Sequence, residues 1–258
     1  MKPIVEQKLS QLRLLGLREN AERRIAEAVA ANLHPEEFLL LLLDDEILQR
    51  KEMLSKRLQT KAKFRYDAHH EDWDWLFERG IGKTKVQDAI SLGFLRDREQ
   101  LLLFGPTGIG KTHLAIAVGR RACHAGKTVA FFGMNSLFEE ALGTKASGKY
   151  RFWLKTTASR DLIILDDFAL RKYTHEEGSV ILDLLEEHHK KGSIVVTSQV
   201  AAEGWPALFE DPVLGEAIVD RMTKPQKTLV FDGASYRDKG SSKKLGKAEM
   251  VAPETKKR

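Results

Sequence analysis

The segment Gly105-Pro106-Thr107-Gly108-Ile109-Gly110-Lys111-Thr112 constrains this chain more than any other. Two glycines separated by four residues are followed by Lys and Thr. An apolar run, Gln100 to Phe104, precedes them, and a stretch of good helix formers follows. Strand, tight turn and helix in that order form the setting in which this spacing binds phosphate. Glycines let backbone N–H groups turn inward, and the helix N-terminus adds its positive end. The reading places Lys111 on the β- and γ-phosphates of a nucleoside triphosphate and the Thr112 hydroxyl on Mg²⁺. Gly105, Pro106, Thr107, Gly108, Ile109 and Gly110 supply the cradle. His113 follows at its edge and is expected to pack on the helix.

A second element completes the pattern. Leu162-Ile163-Ile164-Leu165 is an apolar run ending in Asp166-Asp167, about 50 residues downstream. A buried strand gains nothing from charges at its tip unless they face a site. Asp166 is placed to hold Mg²⁺, directly or through water, and Asp167 to polarise an attacking water. Further short apolar runs lie at Thr128 to Phe132, Ser193 to Thr197 and Thr228 to Phe231, and helical stretches separate most of them. Alternation of this kind predicts an α/β fold, with five parallel strands covered by helices on both faces. The N-terminal part differs. Its apolar residues recur at helical spacing, and Pro35-Glu36-Glu37 suits the first turn of a third helix. The expected organisation is a small all-α part over 1–66, a linker over 67–79, the α/β domain over 80–237 and a disordered basic tail over 238–258.

Composition narrows the class. The chain has 258 residues, 42% hydrophobic and 31% charged, with a single cysteine, Cys123. A lone cysteine allows no internal disulfide. The longest apolar run, Phe38 to Leu43, falls far short of the ~20 residues that span a bilayer. The N-terminus lacks the apolar core of a signal peptide. The expected location is the cytoplasm. The net charge of +5 is concentrated in the tail, where seven cations oppose three acids. The rest of the chain is close to neutral, so a nucleic-acid role must rest on local patches.

These residues resemble the AAA+ ATPases over roughly residues 80 to 237. Within that class Gly105 to Ala115, Leu162 to Phe168, Thr197-Ser198-Gln199 and Gly233-Ala234-Ser235-Tyr236-Arg237 resemble the IstB-like transposition helper proteins of bacterial insertion sequences. Leu14-Leu15-Gly16-Leu17 and the Phe38 to Leu43 run also resemble that group, and DnaC-like helicase loaders are close relatives. The resemblance implies roles that spacing alone does not. Gln199 or Ser198 would sense the γ-phosphate. Arg221 would be an arginine finger acting on a neighbouring subunit's nucleotide. Arg237 would be the second sensor arginine. The bland alternatives are an ion pair of Arg221 with Asp220 or Glu216, and a solvated tail residue for Arg237. Most of the wider class carries Glu where this chain has Asp167. Misplacing a base by about one bond can cost ~10²-fold in rate, so slow ATP hydrolysis is expected. The usual C-terminal helical lid has no room.

Two basic stretches are candidates for double-stranded DNA. The first runs from Arg50 to Arg65 and includes Arg50, Lys51, Lys56 and Arg57. The second includes Lys145, Lys149, Arg151 and Lys155, interleaved with Tyr150, Phe152 and Trp153. Cations would neutralise phosphates and aromatics could stack. The alternatives are a solvated helix face for the first and ordinary core aromatics for the second. Neither stretch carries a base-reading motif, so binding would be largely nonspecific. Together the residues and the resemblance suggest an ATP- and Mg²⁺-dependent homo-oligomer on DNA that assists a cognate transposase. The alternatives are a replicative helicase loader and a nucleotide-gated DNA-bending protein whose hydrolysis is incidental.

Overall fold

A computed structural model of the chain describes residues 2–236, so Arg237 and the 238–258 tail lie outside the described residues. Three helices come first: α1 (Pro3–Gln11), α2 (Leu15–Ala31) and α3 (Pro35–Ala62). Two short ones follow, α4 (Lys83–Ile90) and α5 (Gly93–Asp97). The α/β part then runs β1 (Gln100–Phe104), α6 (Lys111–His124), β2 (Val129–Gly133), α7 (Met134–Ala146), α8 (Tyr150–Ala158), β3 (Leu162–Phe168), α9 (His175–His188), β4 (Ser193–Ser198), α10 (Pro212–Thr223) and β5 (Gln226–Val230). Among the described residues no helix is long and apolar enough to cross a membrane.

The five strands form one parallel sheet in the order β2-β3-β4-β1-β5. Strand alternation sends side chains to opposite faces, so each face builds its own core. Leu102, Phe104, Ile163, Leu165 and Val196 pack with Leu137, Trp153, Leu184, Trp205 and Ile218 on one side. Leu101, Leu103, Leu162, Ile164 and Val195 pack with Leu114, Val118, Val86 and Phe94 on the other. The sequence order makes β4 the neighbour of both β1 and β3. The loop after β1 and the carboxylates at the end of β3 therefore meet at one edge, outside the carboxyl ends of the strands.

The third helix starts where the sequence suggests, with Pro35 in its first turn and Glu37 Oε2 accepting the His34 N–H at 3.1 Å. It is shared between two packing partners. Its N-terminal part lies along α2, and its C-terminal part docks on the α/β core through Leu58, Ala62 and a 3.0 Å contact of Ser55 Oγ with His124 Nδ1. The α2–α3 contact is close because Gly16 has no side chain. A Cβ there would stand 2.5 Å from Asp45 O and 2.7 Å from Glu46 Cα. The approach lets Glu46 Oε2 accept the N–H groups of Gly16 at 2.8 Å and Leu17 at 3.3 Å, capping the start of α2. Arg24 adds a two-pronged ion pair to Asp45, at 2.8 Å on each oxygen.

Overpacking against backbone costs about 1–3 kcal/mol. Gly16→Ala is therefore expected to loosen α1 and α2 from α3. Limited proteolysis should cut the 12–34 region faster than in the parent, while the α/β core keeps its melting temperature.

Candidate functional site

The loop between β1 and α6 is shaped by Gly105, Gly108 and Gly110, with φ of +146°, +79° and +110°. Gly105 is held to glycine twice over, because a Cβ there would also stand 2.5 Å from Phe231 O. Gly110 ends the loop as the N-cap of α6, and Lys111 opens the helix. Lys111 Nζ donates to Gly105 O at 2.7 Å and Pro106 O at 2.9 Å. Burial pulls its ammonium below the ordinary lysine value, against the opposing charges of Asp167 and Asp166. Thr107, Gly108, Gly110, Lys111, Thr112, His113, Asp167 and Gln199 line one cleft of about 400 Å³. Pro106 is exposed at its rim and Ile109 is buried in the core beneath it.

At the centre stands Asp166, fully buried. Its Oδ1 accepts the hydroxyls of Thr112 at 2.8 Å and Thr197 at 2.6 Å. Its Oδ2 is buried without a hydrogen-bond partner among the described residues. A buried carboxylate oxygen with no donor, next to a hydroxyl, is the hard-oxygen setting a divalent cation such as Mg²⁺ takes. Thr112 and Asp166 therefore fit a magnesium ion. Asp167 follows a register shift in the β3–β4 pairing and takes φ +59°. Short polar residues tolerate that conformation, and here it brings Asp167 to the cleft. Thr197 Oγ1 also accepts the Asp167 N–H at 3.0 Å.

Thr197 was not singled out in the sequence, which pointed to Ser198 or Gln199. The Ser198 hydroxyl is committed to backbone, at 2.8 Å from Phe168 O and 2.9 Å from Val200 O. Gln199 is exposed on the cleft wall. The signal for Thr197 is its register: a strand-tip residue on β4, beside the tip of β3. A second group sequence reasoning missed is Arg79. It is buried, stacks on Trp73 at 4.1 Å, Phe77 at 4.8 Å and Tyr236 at 5.1 Å, and donates to Ile109 O at 3.0 Å. The aromatic cluster between Trp73 and Phe77 was its signal. Segment 67–79 thus joins the helical part to the α/β part by packing over the loop, with Ala68 and Trp73 buried. His113 packs there too, its ring 6.0 Å from Trp73 and its Nε2 3.3 Å from His69 O. Tyr236 N–H donates to Gly108 O at 2.9 Å; Arg237, next in the chain, lies outside the described residues.

Arg221 is in the last turn of α10. Its partner is Glu186 at 2.8 Å rather than Asp220, which pairs with Lys224. Arg221 is exposed and is not among the residues lining the cleft.

The basic stretches lie on and after α3 and on α7 and α8. Arg50, Lys51, Lys56 and Arg57 are exposed on α3, with Arg50 held to Glu46 at 2.8 Å. Lys145 is at the end of α7, 3.8 Å from Glu176, and Lys149, Arg151 and Lys155 are exposed on or beside α8. The two stretches meet in one groove of about 300 Å³, where Lys61 and Lys63 of the first face Lys149 and Arg160 of the second. The interleaved aromatics divide. Trp153 and Tyr150 pack in the core with rings 5.7 Å apart, and Phe152 faces outward.

The description of IstB-like ATP-binding proteins matches residues 7–244 of the chain. An ATP-binding protein named for insertion sequence IS21 in Pseudomonas aeruginosa is 32% identical over 235 residues, 91% of this chain and 89% of that protein. One named for insertion sequence IS232 in Bacillus thuringiensis is 27% identical over 243 residues, 93% and 97% of the two chains. Among solved structures, a DnaC helicase loader superposes with a TM-score of 0.54 at 20% identity, covering 66% of this chain and all of that one. AMPPCP-bound DnaA from Aquifex aeolicus superposes with a TM-score of 0.55 at 16% identity, covering 74% and 58%. The fold is that of the P-loop AAA+ proteins.

Burial raises the Asp166 carboxyl above its ordinary value, against the two hydroxyl bonds that favour its charge. The native state then holds this proton more tightly than the unfolded chain, and ionised Asp166 costs stability as pH rises through its folded value. Asp166→Asn is expected to melt a few degrees above the parent at neutral pH without nucleotide or magnesium. The gain should shrink toward about pH 4, where the unfolded carboxyl also protonates. Differential scanning fluorimetry across pH checks both.

Proposed function

The chain belongs to the family of IstB-like ATP-binding proteins, and from that premise we propose that it binds and hydrolyses Mg·ATP, oligomerises through the nucleotide and acts on DNA in support of a transposase. The observation that carries this reading is the buried Oδ2 of Asp166, without a hydrogen bond among the described residues, beside the Thr112 hydroxyl. The loop N–H groups and Lys111 bind the phosphates. Thr112 and Asp166 would hold magnesium, which neutralises charge on the transferring phosphoryl group. Asp167 accepts the proton of the attacking water, and the Thr197 hydroxyl ties the Asp166 carboxylate to the Asp167 backbone N–H. Turnover is slow, because an Asp at this position reaches less far than a Glu. The reaction takes place in the cytoplasm.

Arg221 completes the neighbour's site. Its guanidinium lies outside its own cleft, held at the surface by a half-exposed glutamate and by Ala217 O at 3.1 Å, contacts that it can leave at little cost. DNA lies along the groove where α3 meets α8, with Lys61, Lys63, Lys149 and Arg160 on its phosphates and Phe152 exposed at the rim. Phosphate contacts of this kind carry no sequence information.

Lys111→Ala should lose Mg·ATP binding by calorimetry. Arg221→Ala should keep it but lose ATP-driven assembly by light scattering, with turnover down about 10³-fold. Equal assembly by Arg221→Ala and the parent would remove Arg221 from the junction. Changing Lys61 and Lys149 together to Glu should weaken DNA binding alike on unrelated sequences. The slope of log affinity against log salt should fall by about 2.

A further inference from the structure

Arg65 reaches the cleft from the segment that follows α3. The helix ends at Ala62, and Lys63 turns the chain with φ +56°. Phe64 then packs against Phe131, with ring centroids 6.2 Å apart, and anchors the backbone on the core. Beyond it Asp67 pairs with Arg120 at 2.5 Å and Ala68 is fully buried. The backbone is therefore pinned on both sides of Arg65, while the side chain itself is 65% exposed. Its Nη1 is 3.6 Å from Asp167 Oδ2 and 3.9 Å from Asp166 Oδ2. Both distances exceed a hydrogen bond, so a guanidinium with five donors is held near the carboxylates by charge alone. Arg65 also lines both the 400 Å³ cleft and an adjoining cavity of about 750 Å³.

That arrangement cannot survive the arrival of Mg·ATP unchanged. A divalent cation held by Thr112 and Asp166 repels a guanidinium 3.9 Å from the same carboxylate. A terminal phosphate in the same cleft attracts it, and the planar fork of arginine suits phosphate oxygens. We propose that Arg65 is a ligand of the terminal phosphate within its own chain. It distinguishes ATP from ADP and ties the end of α3 to the nucleotide. The proposal rests on the reading of the cleft as an ATP site. It makes Arg65 part of the phosphate site rather than of the DNA-binding face, where its place in the basic stretch would put it.

A charge-assisted hydrogen bond made to one nucleotide and not the other is worth about 10-fold in relative affinity. The full-length chain is titrated calorimetrically with Mg·ADP and with a non-hydrolysable Mg·ATP analogue. Arg65→Ala should weaken the analogue about 10-fold and leave ADP within about 2-fold, with Arg65→Lys between Arg65→Ala and the parent. An unchanged ratio of the two affinities, or an equal loss of both, overturns the proposal. No heat from the parent with either nucleotide overturns the ATP reading itself. Trypsin supplies a second readout at Lys61 and Lys63. The analogue, but not ADP, should slow cleavage there in the parent, and the same protection in Arg65→Ala overturns the tie to α3.

Discussion

The site is organised by one carboxylate oxygen. Asp166 Oδ1 accepts two hydroxyls, from Thr112 at the head of α6 and from Thr197 at the tip of β4. Three elements, the helix that follows the phosphate loop and two adjacent strands, are thereby fixed to a single atom. A buried charge is costly unless its lone pairs are filled. Here only half of them are, and the cost appears as the raised proton affinity of Asp166. The unfilled Oδ2 is what an apolar residue of the same size could not supply. The core on either side of the sheet, built at β1 and β3 from Leu, Ile and Phe, keeps that oxygen dry and in place.

Around this centre the chain before β1 does more than connect. The stretch from Lys63 to Ile81 wraps one wall of the cleft. Arg79, clamped by Trp73, Phe77 and Tyr236, holds the loop by Ile109 O, and Asp232 N–H donates to Arg79 O at 2.8 Å. The segment after β5 is thus drawn onto the same wall, and Gly108 meets Tyr236 there. Since α3 packs on α6 and ends at this wall, a shift of α3 and a shift of the loop cannot be independent. Mechanical coupling between the N-terminal helices and the nucleotide cleft follows from packing, with no separate pathway needed.

What the sequence reveals depends on how local the cause is. The phosphate loop is legible because its chemistry lies in eight consecutive residues. The β3 tip is legible because an apolar strand ending in two acids, which alone could be a helix cap, lies about 50 residues downstream of the phosphate loop. The start of α3 is legible from Pro35 and its two glutamates. Thr197 escaped because its role comes from register with β3, and one residue of slip puts Ser198 or Gln199 in its place. Arg65 escaped because Lys61 and Lys63 lie just before it, so it reads as one more cation of a basic helix. Only the turn at Lys63 separates it from that helix. Tyr150 and Trp153 escaped in the opposite sense: among cations they suggest stacking on bases, yet α8 turns them inward.

The cleft is balanced before nucleotide arrives, and that balance explains how it can respond. Arg65 opposes Asp166 and Asp167 at 3.9 and 3.6 Å, and the aspartates oppose the loss of charge that burial imposes on Lys111. A Mg·triphosphate carries its own cation and a larger negative charge. On the proposed reading the side chains would exchange partners, Asp166 from Arg65 to the metal and Lys111 from loop carbonyls to phosphate oxygens, so the contacts that hold the cleft together are the ones the nucleotide would replace.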